Sequence, residues 1–252
     1  MLQDLNYIKK YLTHNLEYDY RGEEETISVP YRWSHGATDL HLGDGLIIYS
    51  LIQYMRAKVC VCLGSGGGFV PRIMTQARID LHKQGIFEGN PDYNWGDIGT
   101  TFVVDACNGV GGLVDWYDEE SFFRRTFHPR ILGTTTEDAF HNFFVKQDIK
   151  IDYLHIDAGH SYENVKEDFE LYSQLLSENG IISIHDTDPN YADKFLITQE
   201  VKDRGDFDDW SGPIKFVKEL KNSDVWESFD LFNHNIVKNK PSSTGLTLVR
   251  RK

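Results

Sequence analysis

The chain has 252 residues, 40% of them hydrophobic, and a formal net charge of −13. That length and apolar content suit one α/β domain with a sizeable core. The negative charge argues against a nucleic-acid or anionic-membrane partner, since either would demand basic surface to replace counterions.

Taken in chain order, Leu2 to Asn15 and Leu46 to Met55 have helical spacing, and residues 1–57 are expected to form an N-terminal helical segment ahead of one compact domain over residues 58–252. "VCVCLGSGGGFVPRIM", Val59 to Met74, reads as a buried strand, a glycine turn and a helix, the arrangement with which α/β proteins cradle a nucleotide-like cofactor. The dinucleotide fingerprint G-x-G-x-x-G is incomplete, because Phe69 stands at its third glycine; what remains is G-x-G-x-G at Gly64, Gly66 and Gly68. Val70, Ile73, Met74, Ala77 and Leu81 then fall at helical spacing, with Pro71 suited to the first turn. Of the three cysteines, Cys60 and Cys62 alternate inside the strand without C-x-x-C spacing, so they read as small apolar residues in a reducing compartment. No charged-then-apolar leader opens the sequence and no apolar run approaches about 18 residues, which predicts a soluble, cytoplasmic protein.

"TFVVDA" (Thr101 to Ala106) is a second strand ending in Asp105, and "RILGT" (Arg130 to Thr134) is a third. "IDYLHIDAGH" (Ile151 to His160) is a fourth, followed by a helix whose stripe is Val165, Phe169, Tyr172 and Leu176 and whose stop is Asn179-Gly180. "GIISIHDTD" (Gly180 to Asp188) is a fifth, "GPIKFVKELK" a helix opened by Pro213, and "WESFDLF" and "TGLTLVRR" a closing antiparallel pair. Alternation of strand and helix predicts an α/β fold: a Rossmann-like, seven-stranded, mostly parallel sheet with an antiparallel terminal hairpin and helices on both faces. Gln84 to Gly99 and Thr187 to Gly212 exceed the usual connection length; their aromatic and acidic stretches, "FEGNPDYNWGDIG" and "KDRGDFDDW", read either as a lid over the strand ends or, for the second, as solvated surface.

With these residues in series, the chain resembles the class I S-adenosylmethionine-dependent methyltransferases. Within them, "HIDAGHSYENVKEDFELYSQLLSENGIISIHDTD" is similar to methyltransferase family 24, the small-molecule O-methyltransferases. The resemblance runs from about Thr38 to Arg250 and is strongest over Asp157 to Asp186. It implies that Gly64, Gly66, Gly68 and Asp105 bind S-adenosylmethionine, with the glycines admitting close backbone approach and Asp105 accepting the ribose hydroxyls. Glu137 and Asp138 contact adenine on this reading, or else serve as helix N-terminal acids. "HLGDG" and Asp39 either close over the methionine or are loop residues.

Chemistry falls to Asp157, His160, His185 and Asp186. Methylating a hydroxyl requires a base, or a metal that lowers the hydroxyl pKa. Metal-dependent relatives place three oxygen ligands where this chain has Asp157, His185 and Asp186, so an Mg²⁺ or Mn²⁺ site is implied, and the imidazole either tilts it towards Mn²⁺ or another transition ion or marks a site without a metal. His160 is the candidate general base, with helix capping as its structural alternative. The expected function is therefore S-adenosylmethionine-dependent O-methylation of a small hydroxylated metabolite, a sugar or sugar-decorated product among them. No nucleic acid or membrane partner is expected, and a homo-oligomer is compatible with this reading. The alternatives are a nicotinamide-dependent oxidoreductase, a metal-dependent hydroxylase of related fold, and a non-catalytic nucleoside-cofactor-binding module.

Overall fold

The computed structural model describes residues 34–37, 42–65, 68–85, 100–106, 130–192, 211–232 and 243–252. The helix expected at Leu2 to Asn15, the aromatic and acidic loop stretches, Asp39 and Gly66 lie outside the described residues.

Strands β1 (Val59–Leu63), β2 (Thr100–Val104), β3 (Arg130–Leu132), β4 (Ile151–Ile156), β5 (Leu176–His185), β6 (Trp226–Leu231) and β7 (Leu246–Arg251) form one seven-stranded sheet. Its order is β3-β2-β1-β4-β5-β7-β6. β1 to β5 pair in parallel, and β7 runs antiparallel between β5 and β6. This is the predicted sheet. The order reverses between β1 and β4, and in open α/β sheets such a reversal opens a crevice at the carboxyl ends of the strands.

The helices are α1 (Asp44–Met55), α2 (Phe69–Lys83), α3 (Thr136–Ala139), α4 (Tyr162–Tyr172), α5 (Pro189–Ala192) and α6 (Gly212–Leu220). Strand alternation sorts the core into two layers. Val61, Leu63, Val104, Leu154, Ile156, Ile182 and Ile184 pack with Phe169 and Tyr172 of α4 and Phe216 and Val217 of α6. On the opposite face, Cys60, Cys62 and Tyr153 meet Ile48 and Ile52 of α1 and the predicted α2 stripe of Val70, Ile73, Met74, Ala77 and Leu81. Because both faces are covered, β1 is apolar at every position, as a doubly wound sheet requires, while β4 carries Asp152 and His155 among its apolar residues. Burial pushes the Cys60 thiol up to about 12 and Cys62 well above its usual range, so both behave as neutral apolar residues. No helix among the described residues is long and apolar enough to cross a membrane.

One boundary differs from expectation. The helix that begins at Tyr162 ends at Tyr172, and Leu176, expected on its stripe, instead opens β5 opposite Ile151. The next pair is Tyr153 with Ile181, so β5 takes five steps while β4 takes two, and Asn179-Gly180 sits in the resulting irregularity rather than ending a helix. The cause lies on β4: the Asp152 carboxylate accepts the Ser177 hydroxyl (2.8 Å) and the amides of Lys58 (2.8 Å) and Val59 (3.0 Å), drawing this segment onto the sheet.

Candidate active site

The carboxyl ends of the parallel strands are joined to one another by backbone hydrogen bonds. The Gly64 amide donates to Val104 (2.9 Å), Asp105 to Leu132 (3.1 Å) and Asp157 to Leu63 (2.9 Å), so the residue after each strand is held on one rim. Gly64 has φ 75°, and a Cβ there would lie 2.0 Å from the Asp157 carbonyl oxygen. A side chain is therefore excluded by the turn after β4. Gly68, also left-handed at φ 79°, caps the start of α2.

Asp105 faces the glycine turn, where its Oδ2 accepts the Ser65 amide (3.0 Å) and hydroxyl (2.5 Å). It thereby anchors the β1 turn to β2. Glu137 and Asp138 sit in the first turn of α3, both exposed, with the Asp138 amide donating to the Thr135 side chain (3.1 Å). That is the geometry of helix N-terminal acids beside an N-cap threonine.

Asp157, His160, His185 and Asp186 come together at the ends of β4 and β5. His160 Nε2 is 2.9 Å from Asp186 Oδ2 and 3.6 Å from Asp157 Oδ1. His185 Nδ1 is 3.4 Å from both Asp157 Oδ1 and Asp186 Oδ1. Asp186 adopts φ 58°, a left-handed conformation that Asp tolerates better than most residues and that marks a constrained turn. Side-chain exposure is 22% for His160 and 16% for Asp157, against 1% for His185 and 5% for Asp186, so the cluster opens to solvent on its His160 and Asp157 side.

Burial alone would raise the Asp157 carboxyl, but His185 and His160 hold it well below the usual carboxylate range, and Asp186 is lowered in the same way. Burial would lower His160, yet Asp157 and Asp186 outweigh it and push the imidazole up to about 10. His185 is raised to about 9 by the same two charges against its own burial. Facing two carboxylates, His160 is an imidazolium at neutral pH, and an imidazolium cannot take a proton.

Three further members were not named as part of this cluster from the sequence, although Asp44 lies in the HLGDG stretch. His35 Nε2 lies 3.6 Å from Asp157 Oδ2, and its ring stacks on His185 with centroids 4.0 Å apart. Asp44, at the start of α1, accepts the Ser243 hydroxyl (2.6 Å) and stands 3.7 Å from His185 Nε2; burial raises its carboxyl to about 6. His155 Nε2 is 3.9 Å from Asp157 Oδ2, while its Nδ1 meets Ser183 Oγ (2.8 Å), which also accepts the Tyr153 hydroxyl (2.8 Å). His155 was legible: two residues before Asp157 on one strand, it points to the same side. For His35 and Asp44 no local signal marks the partner. Two donor groups within ion-coordinating reach share Asp157: His35, Asp157 and His185, and Asp157, His160 and Asp186.

A family model described as a methyltransferase domain matches residues 61–187. A curated sequence, an uncharacterized protein of Sinorhizobium fredii, is 33% identical over 101 residues; the match covers 37% of this chain and 11% of that much longer protein. Among solved structures, the chain is similar to an O-methyltransferase from Bacillus cereus in complex with SAH, at TM-score 0.63 and 12% identity over 96% of this chain and 91% of that one. It is similar to an SAH-bound methyltransferase of Podospora anserina, at TM-score 0.63 and 14% identity, covering 98% and 93%. A third is the SAM-bound O-methyltransferase of tomaymycin synthesis from Streptomyces achromogenes, at TM-score 0.55 and 13% identity, covering 97% and 98%. At these identities the likeness is one of fold.

Proposed function

The chain belongs to the methyltransferase-domain family matched over residues 61–187, and from that premise we propose that it transfers a methyl group from S-adenosylmethionine to a hydroxyl of a small metabolite. The observation that carries this reading is adjacency: the glycine turn with Asp105 at the ends of β1 and β2 shares one rim with the carboxylate and imidazole cluster at the ends of β4 and β5. A nucleoside-type donor seated over Gly64, Gly68 and Asp105 has its reactive end beside residues able to bind and deprotonate a hydroxyl. That similar folds have been solved with SAM and SAH bound supports the choice of donor. The net charge of −13 supports a neutral or cationic acceptor, and we take sugars and sugar-decorated products as the class to test.

A divalent ion fits the cluster. Buried His185 Nδ1 and Asp186 Oδ1 have no hydrogen-bond partner among the described residues, and His185 Nδ1 lies 3.4 Å from both Asp157 Oδ1 and Asp186 Oδ1. Asp157, His185 and Asp186 would hold the ion, which when bound lowers the pKa of a coordinated hydroxyl. With Asp157 and Asp186 engaged by an ion, the charge that keeps His160 protonated would be offset, and His160 would then be free to take the hydroxyl proton. The Tyr153, Ser183 and His155 chain orients β4 behind Asp157.

Titration calorimetry with S-adenosylmethionine and S-adenosylhomocysteine, with NAD as control, tests the donor, and mass-spectrometric detection of a transferred methyl group separates methylation from hydroxylation. Binding of NAD with none of the other two overturns the reading.

A further inference from the structure

Residues 34–37 lie outside the family-matched region 61–187, yet they deliver a side chain to the centre of the cluster. Two anchors fix them. The Ser34 carbonyl accepts both the amide (2.8 Å) and the hydroxyl (3.0 Å) of Thr244, at the entrance to β7, and the His35 carbonyl accepts the Asp44 amide at the start of α1 (2.8 Å). Gly43 permits the second anchor, because a Cβ there would lie 1.9 Å from the His35 carbonyl oxygen. His35 is thus positioned by backbone contacts from both ends of the chain, independently of what its imidazole touches.

What the imidazole touches is unusual for a structural histidine. Buried ring nitrogens in a settled core are hydrogen-bonded, but His35 Nδ1 has no partner among the described residues, and neither does Nδ1 of the His185 ring stacked against it. The polar atom facing His35 Nε2 is a carboxylate oxygen of Asp157 at 3.6 Å, beyond hydrogen-bond length. One donor atom from each of His35, Asp157 and His185 lies within 4.8 Å of the others. Adjacent ligands of a tetrahedral ion, each bonded at about 2.0–2.2 Å, are separated by about 3.3–3.6 Å, close to the 3.6 Å from His35 Nε2 and the 3.4 Å from His185 Nδ1 to the Asp157 carboxylate.

We propose that His35 is a further metal ligand, adding a second imidazole to Asp157, His185 and Asp186 in a two-histidine, two-carboxylate site for a divalent transition ion. The proposal rests on the reading of Asp157 and His185 as ligands and extends it with a residue the family match does not contain. Its chemical consequence is selectivity. Two imidazoles beside two carboxylates form a borderline donor set that suits Mn²⁺, Fe²⁺, Co²⁺ or Zn²⁺, whereas Mg²⁺ and Ca²⁺ prefer all-oxygen sites.

The test uses full-length, metal-stripped protein titrated with Co²⁺ and with Mg²⁺ by calorimetry, and with Co²⁺ by visible absorbance, whose bands report nitrogen ligation. Wild type is expected to bind Co²⁺ more tightly than Mg²⁺, and His35→Ala to lose at least about 10-fold in Co²⁺ affinity, with altered bands and little change for Mg²⁺. His35→Gln, which keeps the side-chain bulk, carries the same expectation where His35→Ala lowers the melting temperature. Unchanged Co²⁺ affinity and bands in a folded His35 variant overturn the assignment of His35 while leaving the other ligands standing. Absence of Co²⁺ binding in wild type overturns the metal site as a whole, and S-adenosylhomocysteine binding, measured in the same preparation, shows separately whether the methyltransferase reading survives.

Discussion

Gly64→Ala tests the contact on which the rim depends, and Gly85→Ala supplies its control. The two glycines have similar φ, 75° and 72°, but a Cβ at Gly64 would meet the Asp157 carbonyl oxygen at 2.0 Å and the Ala158 Cα at 2.7 Å, while at Gly85 no atom of the described residues lies within 4 Å. An alanine in left-handed backbone costs about 1–2 kcal/mol at either position. At Gly64 the added methyl also strikes backbone, which cannot swing aside as a side-chain end would, and overpacking of that kind adds about 1–3 kcal/mol. The expected losses are therefore ~1–2 kcal/mol for Gly85→Ala and ~2–5 kcal/mol for Gly64→Ala. For a domain of this size they amount to roughly 2–8 °C and 4–20 °C in melting temperature. Urea unfolding of the metal-free, ligand-free protein measures both. Equal losses would refute the reasoning, because they would mean that the turn after β1 does not abut Asp157. The functional corollary is that Gly64→Ala shifts Asp157 and weakens metal binding, whereas Gly85→Ala leaves it alone.

Other outcomes follow from the same geometry. Asp105→Asn keeps a carbonyl oxygen for Ser65 but turns the second oxygen into a donor; S-adenosylhomocysteine affinity should fall by ~1–3 kcal/mol, roughly 5- to 150-fold, with little loss of stability, and full affinity by calorimetry would remove Asp105 from the site. Chelation should abolish turnover and added Mn²⁺ restore it, while Asp157→Ala and Asp186→Ala should each weaken ion binding; turnover indifferent to chelator would leave base catalysis without a metal. His160 rises from 6.5 to about 10 on folding, so its ion pairs contribute stability that is complete below about pH 6.5 and lost as pH climbs to about 10. The stability difference between metal-free wild type and His160→Gln should accordingly be largest near pH 6 and shrink towards pH 10, and NMR titration of His160 with a midpoint below 7 would contradict the ion-paired geometry.

Most of the sheet was legible because its signals are local. Cys60 and Cys62 alternate with Val61 and Leu63 onto opposite faces, and the α2 stripe repeats at helical spacing, so each element announces its buried side over a few residues. Leu176 shows where such signals fail: it continues the helical period after Tyr172, but Asp152, on another strand, gathers Ser177 onto the sheet and the chain turns early. Asp157, His160, His185 and Asp186 were found because strand ends share a rim. His35 and Asp44 were not, since their placement depends on contacts such as Asp44 with Ser243 and Ser34 with Thr244, 199 and 210 positions apart. No window on the sequence brings such residues together.

Those distant contacts also decide what His185 can do. The Thr244 hydroxyl has one proton, and at 3.0 Å it donates that proton to the Ser34 carbonyl. Towards His185 Nε2, 3.1 Å away, Thr244 can therefore only accept, and Nε2 must carry hydrogen. Neutral His185 then has its lone pair on Nδ1, aimed at the Asp157 and Asp186 oxygens 3.4 Å away, which is a repulsive arrangement in a buried site. A proton on Nδ1 relieves it, and the elevated pKa of about 9 expresses that preference. A divalent cation held by His185 Nδ1 with Asp157 and Asp186 would relieve it as well. The hydrogen bond from Thr244, just before β7, to Ser34 thus fixes the tautomer of a histidine on β5, and with it the identity of the nitrogen left to bind an ion.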